Sequence, residues 1–154
     1  MSEVPAGEPT AIHALVGAAR RGDPRVIARC PSGWAMFGER QFVYGYALLL
    51  PDPVVPDING LRGAARAQFL IDMTHLGDAL LSVTGALRIN YAIFGNVEPA
   101  LHAHVVPRYV DEPLALRTQH PWAYDWNAAP LFEPHAYMDL KSALQGELTF
   151  MDAS

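Results

Sequence analysis

Residues 95–108 of the chain read GNVEPALHAHVVPR, and residues 101–106 within them are apolar apart from His102 and His104, which stand two positions apart. Alternate side chains of an extended strand share one face, so His102, His104 and Arg108 are expected to project together. At a rise of about 3.3 Å per residue, the two histidine backbones stand roughly 6.6 Å apart, close enough for both rings to approach one small anion. Two imidazoles beside an arginine on a rigid strand therefore predict a functional site for a group such as a single phosphate.

The composition predicts one domain that spans residues 1–154, with residues 1–9 as a loose leader. Hydrophobic residues make up 51% of the chain and charged residues 18%, which is typical of a folded protein rather than a disordered one. A net charge of −5 argues against nucleic acid and anionic membranes as partners, because both repel an acidic protein.

The cysteine content and the N-terminal residues indicate the cellular compartment in which the protein is expected. A single cysteine, Cys30, excludes an intramolecular disulfide and is typical of a reducing environment. The first residues lack the basic start and apolar core of a signal peptide. No apolar run approaches the roughly 18 residues of a membrane-spanning helix. We therefore expect a cytoplasmic protein with no membrane partner.

Apolar periodicity and turn residues predict an α+β fold. Strands are expected at residues 26–30, 34–37, 44–50, 87–94 and 101–108. Helices are expected after Thr10, at residues 63–83 and at residues 136–145. Residues 109–135, rich in proline and aromatic side chains, are expected to form an irregular arm. This order predicts an antiparallel sheet of about five strands, with the long helix packed on one face and a further helix near the C-terminus.

The histidine segment resembles the signature of the histidine triad (HIT) nucleotide hydrolases and transferases, in which three histidines alternate with apolar residues and two further apolar positions follow. The strand at Asn90 and the loop at Gly95 and Asn96 are similar to the branch of diadenosine polyphosphate hydrolases. The likeness covers residues 26–113. The chain departs from the signature at its first histidine, where Ala100 stands.

The resemblance implies roles for individual residues. His102 takes the place of the nucleophile, and His104 takes the place of the histidine that contacts the phosphate and the departing group. Asn90 matches a polar position near the phosphate in those relatives. Val97 stands where many of them carry a hydroxyl that binds phosphate, and Asn96 or the backbone N–H groups of the loop from Gly95 are expected to take its place. Arg108 on the histidine strand is expected to bind phosphate as well. The resemblance also implies a homodimer whose apolar interface is supplied by residues 63–84 and 87–94.

The chemistry of these residues predicts attack on a phosphorus atom. A neutral imidazole is a good nucleophile when a hydrogen bond to its other nitrogen fixes the tautomer. Attack by His102 on the α-phosphate of a dinucleoside polyphosphate, a nucleoside phosphoramidate or a similar nucleotide conjugate gives a covalent nucleotidyl-histidine. This chemistry requires no cofactor, and Mg²⁺ is expected only as a companion of a polyphosphate substrate.

Two alternatives stay open. Ala100 and Val97 replace groups that help catalysis in the relatives, which favours a nucleotide-binding protein with weak or no catalysis. Two histidines two apart on a strand are also a common metal pair, so His102 and His104 are alternatively the ligands of a metal-dependent enzyme. No third ligand stands at the expected spacing, and the first interpretation therefore includes no metal site.

Aromatic and histidine residues of the arm are further candidates for contact with a ligand. Trp122, Tyr124 and Trp126 either stack a nucleobase or pack the long loop by their rings. His120 and His135 each neighbour a proline and are expected at the surface, or over a ligand if the arm folds onto one.

Overall fold

The computed structural model describes residues 8–152, and its elements follow the predicted order. Residues 1–7 of the expected leader lie outside the described residues. The strands are β1 (Val26–Cys30), β2 (Gly33–Phe37), β3 (Ala47–Pro51), β4 (Arg88–Ile93) and β5 (Ala103–Arg108). The helices are α1 (Ala11–Arg20), α2 (Gly63–Thr84) and α3 (Met138–Asp152).

All neighbouring strands pair antiparallel in one sheet with the order β1-β2-β3-β5-β4. The central strand β3 is buried at every position, which explains its run of apolar residues. The histidine strand β5 lies between β3 and β4, so that β4 is an edge of the sheet. The predicted fold class, an α+β fold with a five-stranded antiparallel sheet, is confirmed.

The two faces of the sheet carry separate apolar clusters. On one face α2 and α3 contribute Phe69, Leu76 and Leu144 to a core that includes Leu49 of β3. On the other face α1 and the aromatic side chains of the arm cover part of the sheet. This second cluster includes Val16, Phe42, Tyr46, Leu48, Ala100 and Val106. The sheet that carries His104 is therefore packed against apolar side chains on both of its faces.

The ends of α1 and α2 follow from local capping. Thr10 accepts hydrogen bonds from the backbone N–H groups of Ile12 and His13, and the His13 ring accepts one from the Thr10 backbone N–H. These bonds satisfy donors that a helix N-terminus otherwise leaves unpaired. Helix α2 ends at Thr84 and is capped by Gly85, whose φ of 72° lies in the left-handed region that glycine adopts without a steric penalty. None of the described helices is both long enough and apolar enough to cross a membrane.

Several predicted bounds differ from the structure, and three of these differences have a local cause. Strand β3 begins at Ala47 rather than at residue 44, because Gly45 adopts a φ of 88° within a turn held by the Gln41 side chain. Strand β5 begins at Ala103 rather than at residue 101, because the Leu101 backbone N–H donates to the Val55 carbonyl outside the sheet.

Helix α3 is the third of these cases, since it runs beyond the predicted end at residue 145. Leu144 and Leu148 are both buried against the sheet, so packing on the core extends the helix past Gly146. The side chain of Gln145 also donates to the Ile27 carbonyl, at 3.0 Å. Residues 109–135 form the irregular arm that the sequence predicts, with two short 3₁₀ turns at Pro121–Ala123 and Trp126–Ala128.

Candidate functional site

His102 lies immediately before β5, and its ring is bound by the backbone. Its Nδ1 atom is 2.7 Å from the carbonyl oxygen of Ala100, and the residue is only 9% exposed. A carbonyl oxygen only accepts hydrogen bonds, so Nδ1 carries the proton and donates it. In the neutral ring Nε2 then has a free lone pair, which is the form of imidazole that attacks an electrophile.

His104, on β5, stands beside His102 with ring centroids 5.0 Å apart. Its Nδ1 atom is 2.7 Å from the hydroxyl oxygen of Tyr46, a residue of the turn before β3. Burial, together with the neighbouring His102, lowers the pKa of His104 to about 4, so the ring is neutral at pH 7.

The hydroxyl of Tyr46 has one proton to donate in its hydrogen bond with His104. Burial raises the pKa of Tyr46 well above its ordinary value, so the hydroxyl stays protonated and is able to donate. A Tyr46 hydroxyl that donates to Nδ1 of His104 leaves the histidine proton on Nε2. The pair then presents one Nε2 lone pair on His102 and one Nε2–H donor on His104. This arrangement suits attack on a phosphorus atom whose oxygen is hydrogen-bonded.

Both rings line a cavity of about 1050 Å³. Its walls are formed by strand β4, by residues 94–98 in the loop after it, by His102, His104 and Val106, and by residues 120–122 of the arm. Asn90, Gly95 and Asn96 line the same cavity. The structure therefore brings together five of the six site residues that the sequence singles out.

Arg108 is the sixth, and the structure places it outside this lining. The buried guanidinium is occupied by other partners. Nε donates to the Glu112 carboxylate at 3.1 Å, and one Nη lies in an ion-pair contact with the same carboxylate at 3.0 Å. The Nη groups donate to the Asn90 side-chain oxygen and to the carbonyls of Leu116 and Gln119, at 2.7 to 3.0 Å. Arg108 thus fastens the arm to the sheet and orients Asn90, whose NH₂ group remains for the cavity.

The arm supplies a wall that sequence reasoning left undecided. The Trp122 ring meets His104 edge-to-face at 4.9 Å and meets Phe94 in the same way at 4.8 Å. His120 lines the cavity beside it. The sequence signal was the cluster of aromatic residues, but nothing local in the arm indicates which rings reach the histidines.

The described residues contain one histidine pair but no larger metal-binding cluster. Among residues 8–152, no group of three or more His, Cys, Asp or Glu side chains is arranged to hold a metal ion. His102 and His104 each use Nδ1 within the protein, which leaves each Nε2 for a ligand.

Solved structures with the same fold include several histidine triad proteins. One from Bradyrhizobium japonicum has a TM-score of 0.71 at 21% identity, and the match covers 83% of this chain and 94% of that chain. A hypothetical histidine triad nucleotide-binding protein from Sulfolobus tokodaii has a TM-score of 0.69 at 13% identity, covering 90% and 93%. A zinc-bound histidine triad family protein from Mycobacterium smegmatis has a TM-score of 0.61 at 20% identity, covering 88% and 93%. No family model and no curated protein matches the chain. The fold is that of histidine triad proteins.

Proposed function

We propose that the protein is a nucleotide hydrolase or nucleotidyl transferase. Its substrate is a dinucleoside polyphosphate, a nucleoside phosphoramidate or a similar nucleotide conjugate, and it acts at the α-phosphate. The observation that carries this proposal is the hydrogen bond from His102 to the Ala100 carbonyl, which occupies Nδ1 and leaves Nε2 free beside a large cavity. The histidine triad fold and the nucleotide-binding protein from Sulfolobus tokodaii support it.

The reaction has two steps. Nε2 of His102 forms a bond to the α-phosphorus while the bond from phosphorus to the departing group breaks, and a covalent nucleotidyl-His102 results. Water or another acceptor then attacks the same phosphorus, and the bond to Nε2 breaks. His104 donates its Nε2 proton toward the phosphate oxygens or the departing group.

The loop after β4 completes the phosphate site in this proposal. Gly95 and Asn96 line the cavity, and in this proposal the Asn96 side chain and the backbone N–H groups of the loop bind phosphate oxygens. The NH₂ group of Asn90 acts with them, because Arg108 occupies its carbonyl oxygen. No cofactor is required, and Mg²⁺ accompanies the substrate only when that substrate is a polyphosphate.

A nucleotide-binding protein with little catalysis is the second candidate. Two observations favour it: Ala100 contributes no imidazole, and Val97, which is 88% exposed, contributes no hydroxyl. Loss of one donor of this kind typically costs roughly 10² to 10³ in rate. Slow turnover with intact binding is the outcome that separates this candidate from the first.

Release of AMP from adenosine phosphoramidate in the presence of EDTA tests the proposal. We expect turnover that the chelator leaves unchanged, because His102 attacks phosphorus without a metal. Binding of the nucleotide with no AMP release supports the second candidate. Turnover that EDTA abolishes and added Zn²⁺ restores contradicts the proposal and supports the metal-dependent alternative.

We also propose that the protein forms a homodimer through the edge of the sheet. Strand β4 has no neighbour on its outer side among the described residues, and apolar side chains near it are exposed. Leu87 is 59% exposed and Tyr91 39%, while Ile71 and Leu81 of α2 are 45% and 37% exposed. The expected molar mass in solution is twice the chain mass of 16.8 kDa, measured by light scattering. A mass of one chain at micromolar concentration contradicts the dimer.

A further inference from the structure

A third imidazole lines the cavity, and it comes from the arm rather than from the histidine strand. His120 shares this lining with His102 and His104. Ala100 stands where the family signature has its first histidine. It is 2% exposed and packs within the same apolar cluster as Phe42 and Val106. Position 100 therefore contributes its carbonyl to the site, and its side chain belongs to the core.

The backbone on both sides of His120 is anchored. The preceding carbonyl, that of Gln119, accepts a hydrogen bond from the buried Arg108 at 2.7 Å. The following residue, Pro121, is buried and opens a 3₁₀ turn in which the Ala123 N–H donates to the His120 carbonyl at 3.0 Å. His120 is an exposed residue that lines the cavity, so an anchored piece of backbone holds an accessible histidine at this wall.

The other polar side chains of this cavity offer few groups that attract an anionic substrate. Its described lining contains no lysine and no arginine, although the proposed substrates are anionic. Glu98 is a carboxylate that accepts a hydrogen bond from the Ala11 N–H at 3.2 Å, and it repels phosphate. His104 is neutral at pH 7, because burial and His102 lower its pKa to about 4. His120 is the remaining imidazole of this lining, and its ring offers an N–H donor to an anionic oxygen.

We infer that His120 binds the departing group of the substrate by donating an N–H hydrogen bond to an anionic oxygen of that group. The inference rests on the proposed function and specifies one part of it. It assigns the arm side of the cavity to departing groups that carry phosphate, such as the nucleoside diphosphate released from a dinucleoside triphosphate. A departing group without an anionic oxygen, such as ammonia, gains nothing from His120.

Two substrates and two variants test this inference. His120→Ala removes the donor, and His135→Ala is the matched control, since His135 is an exposed histidine of the same arm that does not line the cavity. With diadenosine triphosphate we expect kcat/KM of His120→Ala to fall by about 10- to 100-fold, the loss typical of one charge-assisted hydrogen bond. With adenosine phosphoramidate we expect less than about a threefold change for either variant. His120→Gln, which retains an N–H donor, is expected to recover part of the loss.

Binding of ADP, measured by calorimetry, keeps the inference separate from catalysis. We expect His120→Ala to weaken ADP binding about tenfold or more, and His135→Ala to leave it unchanged. If the wild-type chain releases no AMP but this difference in ADP affinity is present, the proposed catalysis fails and the binding role of His120 stands. Equal losses with both substrates, or ADP affinity equal to that of the His135 control, overturn the inference.

Discussion

Replacing His102 by glutamine is expected to lower kcat for AMP release by at least about 10³-fold, because it removes the atom that forms the bond to phosphorus. The wild-type protein mixed with substrate and denatured at neutral pH is expected to carry an adenylyl group on His102, detected by mass spectrometry of its peptides. The His102→Gln protein is expected to carry none. A glutamine side chain has a similar volume, so the buried position stays filled and the fold is preserved.

His104→Gln is the matched control for this experiment. It retains the nucleophile at position 102 and removes the donor that Tyr46 orients through a 2.7 Å hydrogen bond. We expect the adduct to form on His102, more slowly by about 10²- to 10³-fold. Thermal unfolding of both variants checks that neither loss of activity comes from loss of the fold. Wild-type rates in His102→Gln, or an adduct on another residue, contradict the proposed mechanism.

The parts of the site that are local in sequence were the parts that could be predicted. Alternation along one strand is enough to place His102 and His104 on a common face, and the turn residues near Gly95 indicate the loop that follows β4. The hydrogen bond from the His102 ring to the Ala100 carbonyl, two residues away, was not predicted, although it is just as local in sequence.

The parts set by distant contacts could not be predicted. Tyr46 and His104 are 58 positions apart, and no pattern in either segment indicates that they meet. Arg108 was predicted from its place on the histidine strand to bind phosphate. Its surroundings in the structure depend on Glu112 and on carbonyls of the arm, and the arm has no periodicity from which its path follows. A charged side chain near a predicted site is therefore assigned safely only when its own partners are known.

Replacing Arg108 by methionine is expected to lower the free energy of unfolding by about 3 to 5 kcal/mol at pH 7, the usual cost of removing one partner of a buried ion pair. The pair has side chains that are each 6% exposed, and Arg108 binds Glu112 through 3.0 to 3.1 Å contacts. Burial alone raises the pKa of Glu112, but hydrogen bonds from Arg108 and Tyr124 outweigh it and hold the pKa below its ordinary value. The pair therefore stabilises the fold at neutral pH, and this stability is lost as the pH falls through the lowered pKa. Urea unfolding monitored by circular dichroism measures the change.

Arg117→Met is the control, because Arg117 is an exposed arginine of the same arm with no ion pair among the described residues, and we expect a change within about 0.5 kcal/mol. The double variant Arg108→Met with Glu112→Leu is expected to recover much of the lost stability, since it leaves no buried charge unpaired. Arg108 also donates a hydrogen bond to the Gln119 carbonyl, three residues before Trp122, whose ring meets His104. Arg108→Met is therefore also expected to change the fluorescence of Trp122 and to raise KM, in conditions where the chain is still folded. Stability equal to that of Arg117→Met would show that the arm is held to the sheet by its aromatic contacts instead.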